Sequence, residues 1–281
     1  MKVLVTGSAG LLGKAAVSTF RERAGAEVIG LTHADLDITD AQRVSTVIGG
    51  HRPDLVVHCA AYTRVDDCEA NEAEAMRVNG DGAGNVARSA FETDSRLIHI
   101  STDYVFEGGE SRPISEDHPT GDPGVLSVYG RSKLSGEQQV RRHHPGASIV
   151  RTAWLFGEGG PCFPRSILER ARTGGSLRVV HDQVGSPTYA ADLARGLCEL
   201  ARFGGGGLFH VTNGGQCSWY EFAVEILRQA GIDAVIEPVS SEACPRPARR
   251  PAYSVLDNRR FIELTGHTLR DWRAALADYL A

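Results

Sequence analysis

Several features that mark other classes of protein are missing from this sequence of 281 residues. No apolar run approaches the roughly 18 residues needed to cross a bilayer, which argues against a membrane-spanning protein. Lys and Arg number 30 against 35 Asp and Glu, so the chain lacks the basic excess typical of nucleic-acid binders. The first residues, MKVLVTG, lack the longer apolar stretch of a secretory signal. These absences predict a cytoplasmic protein that binds neither membrane nor nucleic acid.

Cysteine and histidine patterns give no sign of a disulfide framework or of a metal centre. The six cysteines form no CxxC pair, and the ten histidines form no HExxH motif. In a chain of this size without a signal segment, buried free thiols are more common than disulfides. We therefore expect free cysteines and no bound metal.

The order of apolar segments predicts an α/β fold. Short, continuous apolar runs suit strands that are buried on both faces, and amphipathic helical stretches separate them. This repetition predicts a Rossmann-like, doubly wound parallel sheet with right-handed crossovers. The predicted strands are residues 3–6, 27–31, 55–59, 97–101, 148–152, 177–180 and 208–212. The predicted helices are residues 11–23, 41–48, 73–91, 128–142, 163–171 and 190–203.

The pattern changes after about residue 160, where Gly and Pro become frequent. The segment EACPRPARRP at 242–251 cannot be helical, because its three prolines remove donors and fix φ. We therefore predict that residues 1–160 form mainly the Rossmann domain. Residues 161–281 are predicted to form mainly a smaller, interleaved C-terminal lobe, some of whose segments return to the Rossmann sheet.

A glycine-rich loop, TGSAGLLG at 6–13, lies between the first predicted strand and the first predicted helix. Gly7 permits a tight turn, Gly10 lets backbone amides approach a pyrophosphate, and Gly13 lets the helix lie close to the sheet. An ordinary turn is the alternative, but the strand-to-helix context favours a dinucleotide site. The loop residues predicted to bind the cofactor are Gly7, Ala9, Gly10, Leu11, Leu12 and Gly13.

A YxxxK motif places Tyr129 and Lys133 on one face of a predicted helix. A free tyrosine with a pKa of about 10 is a weak acid at neutral pH, and a nearby ammonium is expected to lower that pKa. In isolation the motif fits a surface tyrosine beside a solvated lysine. In a chain that also carries a dinucleotide-binding loop, the motif favours a catalytic pair.

Two hydroxyl side chains, Ser101 and Thr102, end the fourth predicted strand. Ligands of open α/β sheets bind beyond the carboxyl ends of the strands, so both hydroxyls are expected to face the cleft opposite Tyr129. A strand-ending turn without a functional role is the alternative. A hydroxyl at this place can bond a substrate carbonyl.

Taken in order, the motifs of the whole chain resemble the dTDP-4-dehydrorhamnose reductase family of the extended short-chain dehydrogenase/reductase superfamily. The matching segments are TGSAGLLG at 6–13, LDITD at 36–40, CAAYTRVDDCE at 59–69, VN at 78–79, STDYVF at 101–106, YGRSKLSGE at 129–137, RTAWLFG at 151–157, DQVGSPT at 182–188 and RRPAYSVLD at 249–257.

The resemblance implies an activity and assigns roles to the catalytic residues. A hydride would pass from NAD(P)H to C4 of a dTDP-4-keto-6-deoxyhexose, in the synthesis of rhamnose or of an antibiotic deoxysugar. Tyr129 would donate the proton, Lys133 would hold the nicotinamide ribose, and Thr102 would bond the carbonyl oxygen. The enzyme would act as a monomer or homodimer. Protonation by Tyr129 would make a metal unnecessary.

The resemblance also implies a cofactor site that extends beyond the glycine loop. No acidic residue is expected near Thr32 to repel a 2′-phosphate, which favours NADPH with NADH tolerated. His33 stands where relatives often carry Arg, and His58 where they usually have Asn. The further residues expected to bind the cofactor are Thr32, His33, Asp37, Ile38, Cys59, Ala60, Ala61, Tyr62 and Asn79, together with Tyr129 and Lys133.

The substrate side of the site is expected to involve the 101–106 segment and the C-terminal lobe. Tyr104 stands where related dehydratases carry Glu, so the base for water loss is missing and reduction is favoured over dehydration. Trp154 either contacts the sugar or packs beneath the sheet, and the arginines near 250 either bind the diphosphate or belong to a solvated loop. The residues expected to bind substrate are Thr102, Asp103, Tyr104, Trp154, Gln183, Arg249 and Arg250.

The sequence leaves two alternatives open. A sugar-nucleotide epimerase shares the Tyr–Lys–hydroxyl set. A non-catalytic regulatory subunit shares the fold, although such a subunit would be expected to have lost Tyr129, Lys133 or Thr102.

Overall fold

The computed structural model describes residues 1–174 and 176–281. Its strands are β1 (Lys2–Thr6), β2 (Glu27–Leu31), β3 (Leu55–His58), β4 (Arg96–Thr102), β5 (Ser148–Thr152), β6 (Leu155–Phe156), β7 (Leu177–Val180), β8 (Val184–Gly185), β9 (Thr188–Tyr189), β10 (Gly207–His210), β11 (Cys217–Ser218) and β12 (Ile236–Val239). Its helices are α1 (Leu11–Ala24), α2 (Ala41–His51), α3 (Val65–Ala70), α4 (Glu72–Met76), α5 (Ala83–Glu92), α6 (Val128–His143), α7 (Phe163–Arg172), α8 (Ala190–Phe203), α9 (Trp219–Gln229), α10 (Arg259–Thr265) and α11 (Trp272–Leu280).

The central sheet is parallel, and its order among the described residues is β10-β5-β4-β3-β1-β2. The chain starts in β1, adds β2 on one side, and then crosses to β3 on the other side of β1. The connections therefore diverge between β1 and β3. A doubly wound sheet opens a crevice at such a point, beyond the carboxyl ends of the strands.

Helices cover both faces of this sheet, because its strands are apolar on both sides. One face packs against α1 and α8, where Phe20 and Leu197 are completely buried. The other face packs against α2, α5 and α6, where Ile48, Val86 and Val140 are completely buried. The doubly wound α/β fold predicted from the sequence is therefore confirmed.

A smaller apolar cluster lies in the second half of the chain, around Phe156, Phe222 and Trp272. It is built from α7, α9 and α11 and from the parallel pair β7 and β12. In contrast, α8 and β10 join the central sheet and its helical layer, so the chain passes back and forth between the two regions. The division at residue 160 stays a prediction.

Two predicted elements differ from the structure. The single helix expected over 73–91 is interrupted by a π-helical turn at Arg77–Gly82, which contains two glycines of low helix propensity and the buried Asn79. The strand at Leu177–Val180 exists but pairs with β12 instead of joining the main sheet. Among the residues described, no helix is both long and apolar enough to cross a bilayer.

Candidate functional site

A cleft of about 810 Å³ opens at the crevice beside β1 and β3. Such a volume is within the range of small-molecule and cofactor sites. Most of the residues predicted from the sequence line it. These are Gly7, Ala9, Gly10, Leu11, Leu12, Gly13, His33, Asp37, Ile38, Cys59, Ala60, Ala61, Tyr62, Thr102, Asp103, Tyr104, Tyr129, Lys133 and Trp154.

The glycine loop forms one end of the cleft and has the geometry of an anion cradle. Gly7 has a φ of 66°, and a Cβ at Gly13 would lie only 2.1 Å from the carbonyl oxygen of Gly7. Helix α1 therefore begins in direct contact with the loop. Its N-cap is Gly10, which has no side chain to cap the first backbone amides, and its first turn carries no acidic residue. This positive helix end suits a pyrophosphate.

We expect that Gly13→Ala weakens NADPH binding tenfold or more. The added methyl meets backbone atoms, and overpacking of this kind costs about 1–3 kcal/mol. A loss of about 1.4 kcal/mol lowers the affinity tenfold. Gly49→Ala in α2 is the control, because a Cβ there meets nothing within 4 Å. Fluorescence titration and a thermal melt measure both variants. Wild-type affinity in Gly13→Ala would contradict the cradle.

The floor of the cleft brings Thr102, Tyr129 and Lys133 together. Ser127 caps α6 by accepting a hydrogen bond from Gly130 N at 3.1 Å, so Tyr129 lies in the first turn of the helix. Lys133 follows one turn later, is buried, and donates from Nζ to the carbonyl oxygen of Ile100 at 2.6 Å. Because Ile100 is on β4, the ammonium lies beside the strand that ends in Thr102.

The protonation states of this pair differ in part from the sequence expectation. Burial is the main cause that raises the pKa of Tyr129, and Asp103 and Tyr104 raise it further, while the Thr102 hydroxyl lowers it. The expectation of a lowered pKa was wrong, because desolvation outweighs any nearby positive charge. Burial lowers the pKa of Lys133 to about 8. At neutral pH the phenol keeps its proton, and most of Lys133 is charged.

Thr102 has a single hydroxyl proton, and in this structure that proton is donated to Asp103. Thr102 Oγ1 donates to Asp103 Oδ1 at 3.0 Å and accepts a hydrogen bond from Tyr104 N at 3.3 Å. Burial raises the pKa of Asp103 to about 6. Thr102 can therefore donate to a substrate carbonyl only after it turns away from Asp103, or when Asp103 is protonated. Ser101 also lines the cleft, as expected, but its hydroxyl donates to Glu137 Oε1.

At the end of β2, one expectation from the sequence was wrong, namely that no acidic residue lies near Thr32. Asp35 Oδ2 accepts hydrogen bonds from Thr32 N at 2.9 Å and from Thr32 Oγ1 at 2.7 Å. An acidic side chain does lie near Thr32, contrary to the expectation, and these bonds lower the pKa of Asp35. Thr32 itself is outside the cleft lining, whereas His33 and Asp37 are part of it.

Asn79 also lies outside the cleft lining but supports it. It is buried, its Oδ1 accepts from Tyr62 N at 2.8 Å, and its Nδ2 donates to Tyr62 O and to Ser132 Oγ. It thus connects the loop after β3 with α6. Its predicted role as a direct cofactor contact stays a prediction.

Three predicted substrate residues lie in a second cavity of about 550 Å³. Gln183 donates to Ser241 Oγ at 2.8 Å, and Arg249 is exposed. Arg250 binds both carboxylate oxygens of Asp66 at 3.0 Å, so its guanidinium is already paired. Asp66 lies in the first turn of α3, directly after cleft-lining Val65.

Trp154 forms a wall of the cleft together with Trp219, which the sequence did not indicate. The two indoles stack with ring centres 3.5 Å apart and planes at 5°. Trp154 has a φ of 47°, rare for a residue with a side chain, and such strain is often found at functional sites. Sequence spacing carries no signal for Trp219, because it opens α9 some 65 residues away in the chain.

Arg64 is a second residue that the sequence analysis missed. It lines the cleft, lies over the Tyr62 ring at 5.1 Å, and donates to Tyr62 Oη at 3.3 Å. It stands within the CAAYTRVDDCE segment, so its position after β3 was the available signal. An exposed guanidinium at the cleft is suited to contact a phosphate.

Comparison with known proteins agrees with this geometry. The family described as RmlD substrate binding domain matches residues 1–281. A dTDP-4-dehydrorhamnose reductase from Streptomyces griseus is 43% identical, over 98% of this chain and 91% of its own. The crystal structure of a dTDP-4-dehydrorhamnose reductase from Clostridium acetobutylicum superposes with a TM-score of 0.95 at 41% identity, covering 100% and 98% of the two chains. That of a Bacillus anthracis dTDP-4-dehydrorhamnose reductase in complex with NADP gives 0.94 at 35% identity, covering 99% and 98%. With its glycine cradle and its Thr102–Tyr129–Lys133 floor, this chain belongs to the dTDP-4-dehydrorhamnose reductase family.

Proposed function

We propose that this protein reduces the C4 keto group of a dTDP-4-keto-6-deoxyhexose with a hydride from NADPH. The observation that carries the proposal is the meeting of Thr102, Tyr129 and Lys133 in one cleft with the glycine cradle. Membership of a reductase family supports it. The product would serve the synthesis of rhamnose or of an antibiotic deoxysugar.

The residues present fit a nicotinamide dinucleotide. The α1 N-terminus and the glycine loop would hold the pyrophosphate, and Lys133 would hold the nicotinamide ribose. The cofactor supplies a hydride when it is bound. NADPH is favoured because the Bacillus anthracis relative was solved with NADP. The charge of Asp35 beside Thr32 weighs against a 2′-phosphate at that place, so NADH should be assayed in parallel.

The chain's own residues complete the reduction. Tyr129 keeps its proton at neutral pH and donates it from Oη to the oxygen that becomes the C4 hydroxyl. The Lys133 ammonium orients the ribose and stabilises the phenolate that remains. Thr102 donates a hydrogen bond to the substrate oxygen once its hydroxyl has turned away from Asp103. Trp154 and Trp219 supply an apolar wall that shields the reacting centre from water.

Free thiols support a location in the cytoplasm. All six cysteines are unpaired in this structure, and four of them are buried. Persistent free thiols are usual in the reducing compartment, where disulfides are rare.

The test is an assay of NADPH oxidation against a panel of dTDP-4-keto-6-deoxyhexoses, with the products identified by NMR. One NADPH should be consumed for each C4 hydroxyl formed. An epimerase would interconvert hydroxyl configurations without net consumption of NADPH. A regulatory subunit would bind the cofactor and turn over none of the sugars. Either result would contradict the proposal.

A further inference from the structure

A buried ion pair lies on the face of α6 that carries Tyr129 and Lys133. Glu137 follows Lys133 by four residues and Tyr129 by eight, so the three side chains share one face of the helix. The Glu137 side chain has no exposed surface, and that of Arg151 on β5 is 2% exposed. Arg151 Nε donates to Oε1 and Nη2 donates to Oε2, both at 2.7 Å. This is the bidentate geometry of a strong, charge-assisted pair.

The same carboxylate holds the strand that presents Thr102. Ser101 Oγ donates to Glu137 Oε1 at 2.6 Å, and Ser101 immediately precedes Thr102. The Arg151 guanidinium lies 5.0 Å from the centre of the Phe106 ring, which follows the turn after Thr102. Glu137 thereby connects α6 to the ends of β4 and β5.

A contribution to the stability of the fold does not explain why this ion pair is buried. Taking two charges out of water is costly, and apolar residues of similar size often replace a buried ion pair with no loss of stability. The cost is increased here, because Arg151 Nη1 is buried without a hydrogen-bond partner among the described residues. A role in the reaction would explain why two charges lie buried at this place.

On the basis of the proposed reductase function, we infer that Glu137 is a positioning residue, which holds α6 against β4 so that Tyr129 and Lys133 meet Thr102. Its carboxylate also acts on the charge of Lys133. Burial lowers the pKa of Lys133, and Glu137 is the main group that raises it again.

Apart from Glu137 and Arg151, the titratable groups packed around Lys133 are uncharged at neutral pH. His58 and His99 from β3 and β4 have lowered pKa values and are neutral, and burial raises the pKa of the Cys59 thiol, which stays protonated. Tyr129 on the same helix is also neutral at pH 7. Arg151 is positive, but Glu137 binds it directly.

The test is Glu137→Gln, which keeps the shape of the side chain and removes its charge. We expect kcat to fall and the alkaline limb of the pH–rate profile to move down by about one pH unit or more, because Lys133 then loses its proton more easily. The unpaired Arg151 would act in the same direction. The pH at which NADPH affinity falls, measured by fluorescence without any sugar, should move down equally.

Two further variants separate positioning from stability. Arg141→Ala removes an exposed guanidinium 3.5 Å from Glu137 Oε2 and should leave both pH profiles in place. The double variant Glu137→Gln/Arg151→Met removes both buried charges and should melt near the wild-type temperature, yet retain the low kcat and the shifted profiles. It keeps the test open if the single variant fails to fold.

The outcomes distinguish this inference from the proposed function. If the wild type reduces no sugar, the proposed reductase is wrong, and the sugar-free NADPH titration still decides the role of Glu137. If the double variant keeps the wild-type kcat and the wild-type pH dependence of NADPH binding, Glu137 is purely structural and the inference is overturned.

Discussion

Tyr129→Phe is expected to lower kcat by a factor of about 10² to 10⁴ and to leave NADPH binding nearly unchanged. The substitution removes the Tyr129 hydroxyl, which shares the cleft with Thr102 and Lys133, while the ring stays to fill its place. Burial keeps the Tyr129 pKa above its usual value, so the wild-type phenol is fully protonated at neutral pH and ready to donate. Steady-state kinetics and a fluorescence titration of NADPH measure the two effects.

The neighbouring tyrosine provides a matched control. The Tyr104 ring meets the Tyr129 ring edge to face, with centres 5.4 Å apart, and both line the cleft. Tyr104→Phe should raise KM for the sugar more than it lowers kcat, since Tyr104 is predicted to contact the substrate without giving up a proton. A Tyr129→Phe enzyme with near-normal kcat, or two variants with equal losses of kcat, would contradict the assignment of the proton donor.

The parts of the site that the sequence predicted are those set by local spacing. The glycine loop, the YxxxK helix and the hydroxyls at the end of β4 each act within one short segment, and the parallel sheet brings the strand ends to one edge. Once the order of strands and helices was established, Gly7, Thr102 and Tyr129 had to converge. Short-range patterns therefore predicted the glycine loop and the Thr102–Tyr129–Lys133 floor, whereas further lining residues such as Tyr62 followed from the family resemblance.

The parts that were wrong or missed depend on contacts between distant segments or on desolvation. Trp219 stacks on Trp154 from a segment about 65 residues further along the chain, and no periodicity in either segment indicates that stack. The pKa of Tyr129 depends on how deeply α6 is buried, which the YxxxK motif does not encode. Asp35 lies three residues beyond Thr32, and only the local turn brings its carboxylate back to the end of β2.

Arg249 and Arg250 are adjacent in the sequence, but their surroundings in the structure differ. Arg250 donates from Nη1 and Nη2 to the two carboxylate oxygens of Asp66, and Nη1 also donates to Ala248 O. Arg249 is exposed at the second cavity, which Gln183 and Arg246 also line. A dTDP diphosphate carries charge that a free guanidinium can bind, whereas a paired one must first give up its carboxylate.

We therefore expect Arg249→Ala to raise KM for the dTDP-sugar about ten- to hundredfold, because a lost charge-assisted hydrogen bond costs about 1.5–3 kcal/mol. NADPH affinity should stay nearly constant, since the glycine loop and the α1 N-terminus already provide for its pyrophosphate. Arg250→Ala should act differently. It leaves Asp66 without its main partner, so we expect a lower melting temperature and a looser α3 at the cleft edge.

Paired titrations distinguish these effects: NADPH by fluorescence and dTDP by calorimetry, on the wild type and on each variant. Arg260→Ala is the control, because that arginine pairs with exposed Asp117 and lines neither cavity. If Arg249→Ala binds dTDP as the control does, Arg249 belongs to a solvated loop. If NADPH binding collapses while dTDP binding survives, the second cavity serves the cofactor, and the assignment of the two sides of the site must be reversed. Loss of dTDP binding in Arg249→Ala alone, with the fold intact, would place the diphosphate at the second cavity.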